Sequence, residues 1–341
     1  MVESPRLRIG FIGAGLRGRT FAGLAGRHPD VELAGVYDVS AAAAQSFSEQ
    51  LEVPIANGID GLISEGLDAL VVATPDHLHT DAVVAGAEAG LRLLVEKPLA
   101  TSTSDGVRMR EIAARNGADI SVAYLNRWHP SFRSLLADAA GGGLGRVLFQ
   151  NARLSNSRRL PLKALSWAGA SSPGWFLMPH SLDIVAALAP RGLTTVQATG
   201  SRGLLAAQGV DTWDGLQALL TFEDGSSASV ESLWVLPDGM PSAVRFGFEV
   251  VGEHAAVVID DARQGIEVYR EEQAEFPRAL VAGYDDQPMG PNTSMIDAFV
   301  QSLRDGCRRL PGVDEALWVT QLIEAIHQSA AEQTGVRVEP A

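Results

Sequence analysis

Short apolar runs alternate with amphipathic, alanine-rich stretches over the first third of the chain. The apolar runs are rich in β-branched residues and predict five strands, at residues 7–13, 31–38, 67–74, 91–98 and 118–125. The stretches between them have helical patterns, and several end at a glycine, as helix C-termini commonly do. Strands that are apolar throughout and alternate with helices predict a parallel sheet covered on both faces.

Beyond residue 125 the predicted strands are longer and alternate polar with apolar positions. They fall at residues 146–155, 194–203, 215–234, 243–260 and 265–270. The Asp-Gly pair within residues 223–226 predicts a tight hairpin turn, and helical patterns follow at 294–306 and 313–333. We therefore predict an α/β domain over residues 1–125 and an α+β domain with an open, mainly antiparallel sheet over residues 126–341.

Composition and charge narrow the classes of partner. The 341 residues carry a net charge of −14, which repels phosphate backbones and anionic membranes, so we expect neither nucleic acid nor a membrane as partner. The single cysteine, Cys307, excludes an internal disulfide and a CxxC metal site. The N-terminus lacks the pattern of a signal peptide, and we expect a cytoplasmic protein.

A glycine-rich loop follows the first predicted strand. Gly13, Gly15 and Gly18 have G-x-G-x-x-G spacing between a strand and a helix, the context in which this motif binds a dinucleotide. The first glycine permits a tight turn, the second lets the backbone approach the pyrophosphate, and the third lets the helix pack on the strand. We assign to the cofactor the loop residues Gly13, Ala14, Gly15, Leu16, Arg17 and Gly18.

The acidic residue Asp38 ends the second predicted strand, 20 positions after Gly18. Its carboxylate would accept hydrogen bonds from the adenine ribose hydroxyls and would repel the 2′-phosphate of NADP, so we predict NAD as the cofactor. Arg17 and Arg19 lie nearby in the sequence and leave NADP open as the alternative.

Further motifs make the chain similar to a known family. The segments "ATPDHLH" (73–79) and "AGLRLLVEKPLA" (89–100) resemble the glucose–fructose oxidoreductase/inositol dehydrogenase/MocA family, as do "YLNRWHPSF" (124–132) and "HSLD" (180–183). The resemblance covers nearly the whole chain. It implies an N-terminal doubly wound Rossmann domain that binds NAD(P), and a C-terminal sheet with a sugar site on one side and often an oligomer contact on the other. We accordingly expect a homodimer or homotetramer.

The activity that the resemblance implies is reversible hydride transfer between nicotinamide and a secondary alcohol carbon of a sugar, polyol or derivative. Lys97 would then bind the substrate oxygen and offset the negative charge that develops on it, and a cis bond to Pro98 would aim its side chain. Glu96 and Lys97 would contact the cofactor near the nicotinamide, and Thr74 with Pro75 would border the nicotinamide ribose. The alternative for Glu96 is that it serves only as an ion-pair partner. Without the resemblance, Lys97 would be read as a surface lysine.

Two histidines suggest a metal site as an alternative. His77 and His79, with Asp76 adjacent, could supply ligands, but no further ligand cluster is visible in the sequence. We therefore expect no metal and place His79 at the start of the next helix, close to the cofactor.

Asn126 and Arg127 resemble family positions that enter or brace the substrate cleft. Arg127 has two alternatives, which are a bidentate contact with the substrate and a salt bridge that joins the domains. His180 and Asp183 are three positions apart in "GWFLMPHSLD" (174–183), on one face of a predicted helix. The resemblance makes His180 the group that exchanges the proton, with Asp183 setting its tautomer. The alternative is a buried His–Asp pair with a structural role.

Aromatic residues are concentrated around this histidine. Many family members carry Asp-x-x-x-His-x-x-x-Asp here, whereas this chain has Phe176 four positions before His180. Together with Trp167 and Trp175, Phe176 would form an aromatic rim. We predict a substrate that is held by stacking rather than by carboxylates, or one that carries an apolar group.

Two other functions are compatible with the same residues. Some relatives are sugar sensors or co-repressors that keep the NAD fold without catalysis. Others oxidise and re-reduce a sugar transiently to cleave a glycosidic bond, with no net redox change. Retention of Lys97 and His180 favours the dehydrogenase over the sensor.

Overall fold

The structure is a computed structural model that describes residues 5–261, 268–269, 274–275 and 290–341. Contacts divide the chain into two compact units, Met1–Tyr124 with Asn292–Leu317, and Leu125–Pro291 with Trp318–Ala341. None of the helices in this described part of the chain is long and apolar enough to cross a membrane.

The strands, in chain order, are β1 (Leu7–Ile12), β2 (Val31–Tyr37), β3 (Ala69–Val72), β4 (Arg92–Val95), β5 (Asp119–Val122), β6 (Val147–Ser157), β7 (Thr194–Ser201), β8 (Gly215–Phe222), β9 (Ser227–Leu236), β10 (Val244–Gly252), β11 (Ala256–Asp260), β12 (Val268–Tyr269), β13 (Ala274–Glu275) and β14 (Val336–Val338). The helices are α1 (Leu16–Ala25), α2 (Ala41–Leu51), α3 (Gly58–Ile63), α4 (His79–Glu88), α5 (Thr103–Asn116), α6 (Pro130–Ala140), α7 (Pro173–Leu188), α8 (Pro291–Asp305) and α9 (Val313–Glu332).

The first unit contains a five-stranded sheet in the order β2-β1-β3-β4-β5, and every neighbouring pair is parallel. All four residues of β3 are buried, as expected for a central strand with helices on both faces. The chain builds outward from β1 to β2 and then from β3 to β5, so the strand order reverses beside β1. Open α/β sheets bind ligands at the carboxyl edge beside such a reversal.

Helix α8 belongs to the first unit. The domain boundary predicted from the sequence places all residues after 125 in the second domain instead. Helix α8 packs in the first unit through an apolar face: Met295, Ile296 and Phe299 are buried. The chain after α8 also joins the sheet edge, because the Val122 N–H donates to the Pro311 carbonyl at 2.9 Å. The amphipathic pattern predicted the helix correctly and did not reveal which core it covers.

The second unit contains a seven-stranded sheet in the order β11-β10-β6-β9-β8-β7-β14. Only β6 and β9 pair in parallel within it, so the predicted mainly antiparallel sheet is confirmed. The hairpin between β8 and β9 forms at the predicted Asp-Gly pair, where Gly225 has a φ of +82°. Inner positions of β8 and β9 are buried against α7, while outer positions such as Gln217 and Leu219 are exposed.

Two strand assignments differ from the sequence prediction. Strand β14 was not predicted, because its three residues are too short to show an alternating pattern; it forms the edge of the sheet beside β7. The predicted strand at 265–270 lies largely outside the described residues, and its described part, β12, pairs with β13.

Candidate functional site

The loop between β1 and α1 has the backbone that its three glycines predict. Gly13 has a φ of +99°, and a Cβ on it would lie 2.5 Å from the Ala73 carbonyl oxygen. A Cβ on Gly18 would lie 1.9 Å from the Gly13 carbonyl oxygen, so only glycine lets α1 pack this closely on the strand end. A Cβ on Gly15, by contrast, would meet no atom within 4 Å. That open space is where the backbone would approach a pyrophosphate.

Helix α1 begins immediately after Gly15, and no side chain caps its start. The N–H groups of a first helical turn have no partner inside the helix and attract an anion. The loop therefore fits a dinucleotide pyrophosphate in three respects, which are its turn geometry, its open side at Gly15 and its uncapped helix start.

Asp38 is fixed at the end of β2 by two backbone donors. One carboxylate oxygen accepts from the Ala14 N–H and the other from the Ser40 N–H, each at 2.7 Å. The acidic group is thereby tied to the glycine loop itself. A carboxylate held by two N–H groups presents a defined negative charge beside any nucleotide bound at the loop.

Arg17 and Arg19, the two arginines that suggested NADP as an alternative cofactor, both form hydrogen bonds within the first unit. Arg19 donates to the Ala14 carbonyl at 3.0 Å and to Ser46 and Gln50 of α2 at 3.0 and 3.1 Å. Arg17 donates to Glu96 at 3.3 Å and to Asn292 of α8 at 3.1 Å. Asn292 was not predicted from the sequence, because α8 was assigned to the other domain.

Lys97 follows β4 and is buried, with 4 % of its surface exposed. Its peptide bond to Pro98 is cis, as the resemblance implies. Glu96 is also buried, and its N–H donates to the Val72 carbonyl at 2.8 Å, which keeps it in register with the end of β3. A buried lysine is unusual, and this one lies at the carboxyl edge of the same sheet that carries the glycine loop.

His79 connects the ends of β3 and β4. It is the first residue of α4, as predicted, and is fully buried. One ring nitrogen lies 2.7 Å from the Pro98 carbonyl oxygen and the other 3.0 Å from the Thr74 carbonyl oxygen. The imidazole therefore braces the Thr74–Pro75 segment against the Lys97–Pro98 segment. No cluster of three or more potential metal ligands occurs among the residues that the structure describes.

In the second unit, Arg127 and Asp183 form a bidentate ion pair. Arg127 Nε and Nη2 donate to the two carboxylate oxygens of Asp183 at 2.7 and 2.8 Å. Asp183 is 1 % exposed, so its charge is compensated mainly inside the protein. Of the two alternatives for Arg127, a salt bridge is present, and it lies within the second unit rather than joining the domains.

Asn126, next to Arg127, binds the backbone of His180. Asn126 Nδ2 donates to the His180 carbonyl at 2.9 Å, one turn before Asp183 on α7. Asn126 and Arg127 thus hold α7 at two positions about one turn apart, residues 180 and 183. The His180 side chain is half-buried.

The predicted aromatic rim separates into two groups. Phe176 packs between Trp167 and Trp234, with ring centroids 5.8 and 5.6 Å away. Trp175 instead stacks on His327, with centroids 5.0 Å apart and planes inclined by 12°. Consecutive helical residues point about 100° apart, which explains the separation. The sequence reasoning missed Trp234, although its buried position in the alternating pattern of β9 marks it as facing α7.

His327 of α9 is the third residue that the sequence did not reveal, after Asn292 and Trp234. Its Nδ1 lies 2.8 Å from the Ile323 carbonyl oxygen, which only accepts, so Nδ1 carries the proton. Its Nε2 then accepts from the Ser172 hydroxyl at 2.6 Å, while Ser172 Oγ accepts from the Trp175 N–H at 3.0 Å and caps α7. Nothing in the sequence around residue 327 distinguishes it from an ordinary helix histidine.

Burial lowers the pKa of His327 below its usual value. The hydrogen bond to the Ile323 carbonyl opposes this shift, the Arg202 guanidinium adds to it, and the Glu324 carboxylate opposes it. The imidazole therefore favours its neutral form, which is the form that the hydrogen bond from Ser172 requires.

Family models match both parts of the chain. Residues 7–124 match the NAD-binding Rossmann fold of an oxidoreductase family, and residues 140–338 match the C-terminal alpha/beta domain of that family. D-xylose 1-dehydrogenase (NADP(+)) 2 of Haloferax volcanii is 26% identical over 97% of this chain and 98% of its own length. Inositol 2-dehydrogenase of Corynebacterium glutamicum is 23% identical over 89% of this chain and 87% of its own.

A solved structure extends the likeness to the fold. Scyllo-inositol dehydrogenase from Lactobacillus casei, with bound NAD(H) and scyllo-inositol, superposes with a TM-score of 0.82. The match covers 97% of this chain and 99% of that one at 16% identity, and at this identity it shows a shared fold.

The lowered pKa of His327 predicts a pH dependence of stability. Because the folded protein holds this imidazole neutral, the unfolded chain takes up the proton first as the pH falls through about 6.5, and the free energy of unfolding decreases. His327→Gln removes this titration, so its free energy of unfolding should fall less steeply between about pH 7.5 and pH 5.5. Urea denaturation across that range measures the slope. Gln328→Ala, at an exposed neighbour on α9 that does not titrate, is the control that should keep the wild-type slope. Equal slopes for His327→Gln and the wild type would contradict the assignment.

Proposed function

The chain belongs to the Gfo/Idh/MocA oxidoreductase family, and we propose that it is an NAD-dependent dehydrogenase acting on a secondary alcohol of a sugar or polyol. The observation that carries the proposal is the buried Lys97, which follows β4 at the carboxyl edge of the sheet whose β1 leads into the glycine loop. The xylose and inositol dehydrogenases among the relatives support the substrate class.

Each proposed catalytic group has one task. The bound nicotinamide supplies the hydride acceptor or donor. The Lys97 ammonium hydrogen-bonds the substrate oxygen and stabilises the negative charge that grows on it. An imidazole nitrogen of His180 takes the hydroxyl proton during oxidation and returns it during reduction. His79 keeps the Lys97–Pro98 segment in place through the Pro98 carbonyl.

The proposed cofactor contacts come from residues that follow β1, β2, β3 and β4, at the carboxyl edge of the first sheet. We propose that the loop N–H groups bind the pyrophosphate and that Asp38 binds the adenine ribose. Thr74, Pro75 and Glu96 border the nicotinamide half. His79, with both ring nitrogens directed at carbonyl oxygens, acts by bracing these segments rather than by direct contact.

On the substrate side, Asn126 and Arg127 hold α7, and through it His180, in position. Asp183 serves as the anchor for Arg127. Phe176, supported by Trp167 and Trp234, offers an apolar surface where the family resemblance leads one to expect a carboxylate. We therefore propose a substrate that presents a C–H face or an apolar substituent here.

We propose NAD rather than NADP as the preferred cofactor. The Asp38 carboxylate is fixed beside the loop, and both candidate partners for a 2′-phosphate, Arg17 and Arg19, are already bonded to other side chains. The 2′-phosphate would meet the negative charge of Asp38, while the guanidinium groups of Arg17 and Arg19 are held by these other partners.

Binding of the two reduced cofactors tests this preference. The wild type should bind NADH at least about tenfold more tightly than NADPH, since 1.4 kcal/mol of repulsion corresponds to a factor of ten. Asp38→Ala should reduce or reverse that ratio by weakening NADH and admitting NADPH. Fluorescence titration of each nucleotide measures both dissociation constants. Tighter binding of NADPH to the wild type would refute the role of Asp38.

Turnover of a Lys97 variant tests the catalytic assignment. Lys97→Met keeps an unbranched apolar side chain of similar length but removes the ammonium group, so kcat should fall by at least about 10². Lys163, the other lysine of the chain, is exposed, and Lys163→Met should retain the wild-type kcat. NADH formation from myo-inositol, scyllo-inositol and D-xylose is the assay. Near-wild-type turnover in Lys97→Met would overturn the assignment.

We also propose a cytoplasmic homo-oligomer, dimer or tetramer, that associates through the outer face of the second sheet. Phe149 is 62% exposed and Leu219 is 45% exposed on this face, and a depression of about 660 Å³ lies between its polar residues, including Arg153 and Glu231. Exposed apolar side chains on a sheet face favour burial against another copy, and Phe149 and Leu219 are exposed among the residues that the structure describes. The exposed thiol of Cys307 fits a reducing compartment.

Sedimentation velocity tests the association. The wild type should sediment as a dimer or tetramer, and the double variant Phe149→Glu/Leu219→Glu should sediment as a smaller species because charges would be buried in the contact. Val39→Glu, at an exposed apolar residue of the first unit, should leave the wild-type value unchanged. A monomeric wild type, or an unaffected double variant, would reject this interface.

A further inference from the structure

We propose that Asn292 is a positioning residue for the cofactor. Its amide holds the Arg17 guanidinium at the carboxyl edge of the first sheet, where the guanidinium binds the phosphate on the nicotinamide side of the dinucleotide. The inference rests on the proposed function, in which the glycine loop binds the pyrophosphate. All the residues that carry it lie in the first unit, to which the chain returns at Asn292.

The Arg17 side chain is held in one direction by three contacts. Its Nε donates to Glu96 Oε2 at 3.3 Å, and its Nη1 donates to Asn292 Oδ1 at 3.1 Å. The guanidinium carbon also lies 4.5 Å from the ring centroid of Phe21, a buried residue one turn further along α1. Ordering a long side chain costs conformational entropy, so these contacts prepare the guanidinium before a ligand binds.

The sheet order shows where this guanidinium lies. Strand β3 lies between β1 and β4, so the bond from Arg17, beyond the end of β1, to Glu96, beyond the end of β4, crosses the carboxyl end of β3. These strand ends are level. The Ala73 N–H donates to the Ile12 carbonyl at 2.8 Å, and the Glu96 N–H donates at 2.8 Å to the end of β3. Open α/β sheets bind ligands in the crevice at this reversal of strand order.

The Arg17 guanidinium and the Asp38 carboxylate lie on opposite sides of β1. Asp38 follows β2, which pairs with one edge of β1, whereas Glu96 follows β4, beyond the other edge. Because Asp38 is the residue that we assign to the adenine ribose, the guanidinium lies toward the other half of the dinucleotide. The phosphate nearest to it would be the one that carries the nicotinamide ribose.

The guanidinium is accessible to a bound phosphate. The Arg17 side chain is 31% exposed. Its hydrogen bonds within the described part of the chain use Nε and Nη1, and Nη2 remains for a phosphate oxygen. Arg17 is also the second residue of α1, whose uncapped first turn would bind the same anion. A hydrogen bond between a guanidinium and a phosphate is charge-assisted and stronger than a neutral one.

Asn292 suits this role because its amide oxygen accepts a hydrogen bond without adding charge. A second carboxylate beside Glu96 would oppose the binding of an anionic phosphate. The amide fixes Nη1 and leaves the positive charge of Arg17 to be shared between Glu96 and the phosphate. Helix α8 thus supplies a support for the cofactor site from 275 positions after Arg17.

Binding of ADP-ribose and of AMP tests the proposal. ADP-ribose contains both phosphates of the cofactor, whereas AMP contains only the phosphate on the adenosine side. Arg17→Met should raise the Kd for ADP-ribose and for NADH at least about tenfold, because a charge-assisted hydrogen bond is lost, and Asn292→Ala should raise both about threefold. The Kd for AMP should stay within about twofold of the wild-type value in both variants. Calorimetric titration measures each Kd.

A double-mutant cycle shows whether Asn292 acts through Arg17. Asn292→Ala should have no further effect on the Kd for ADP-ribose in the Arg17→Met background. Arg115→Met and Asn116→Ala are matched controls at exposed residues where α5 leads into the amino end of β5, and both should keep the wild-type values. Additive effects of the two test substitutions, or equal weakening of AMP and ADP-ribose, would overturn the proposal. An unchanged Kd for ADP-ribose in Arg17→Met or in Asn292→Ala would also overturn it.

These ligands bind without turnover, so the test is separate from that of the proposed function. Binding of NADH by the wild type, with no NADH formation from NAD and the inositols or D-xylose, would reject the dehydrogenase alone. The ADP-ribose affinities of the variants would still decide the role of Asn292. Failure of the wild type to bind both NADH and ADP-ribose would reject the proposed function and this inference together.

Discussion

The close approach of α1 to the end of β1 is the constraint on which the first unit depends. A Cβ at residue 18 would collide with the Gly13 carbonyl oxygen at 1.9 Å, so the glycine spacing fixes where the helix starts. From that start follow the uncapped N–H groups at the pyrophosphate position and the bond from Ala14 to Asp38. Arg19 reaches back to the Ala14 carbonyl, so the loop is held from both sides.

Buried polar groups in both units act mainly by holding loops and helices in register. His79 joins two carbonyls at the ends of β3 and β4, next to the buried Lys97. Arg127 compensates Asp183 with two short hydrogen bonds, and His327 joins α9 to the cap of α7. A buried polar group is costly unless it is bonded, so each of these contacts strongly favours a single arrangement of its segment. The segments that carry Lys97 and His180, the groups proposed to react, are thereby held in place.

The sequence predicted those features that depend on neighbours along the chain. The five parallel strands, the glycine loop and the Asp-Gly hairpin each have a local pattern with a direct backbone cause. Partners far apart in the sequence were missed for the opposite reason. Asn292 beside Arg17, Trp234 beside Phe176 and His327 beneath Trp175 are brought together only by tertiary packing. Helix α8 shows the same limit, since amphipathicity reveals an apolar face but not the core it covers.

The fate of the carbinol hydrogen tests the account most directly. The protein would be incubated with NAD and with inositols that carry deuterium at every ring carbon, or with D-xylose that carries deuterium at C1 to C4, and the nucleotide would be analysed by mass spectrometry and NMR. The account predicts that NADH accumulates with one deuterium at C4 of the nicotinamide and that the polyol or sugar becomes a ketone or lactone. Deuterium that remains in the carbohydrate, with no accumulation of NADH for any of these compounds, would contradict it.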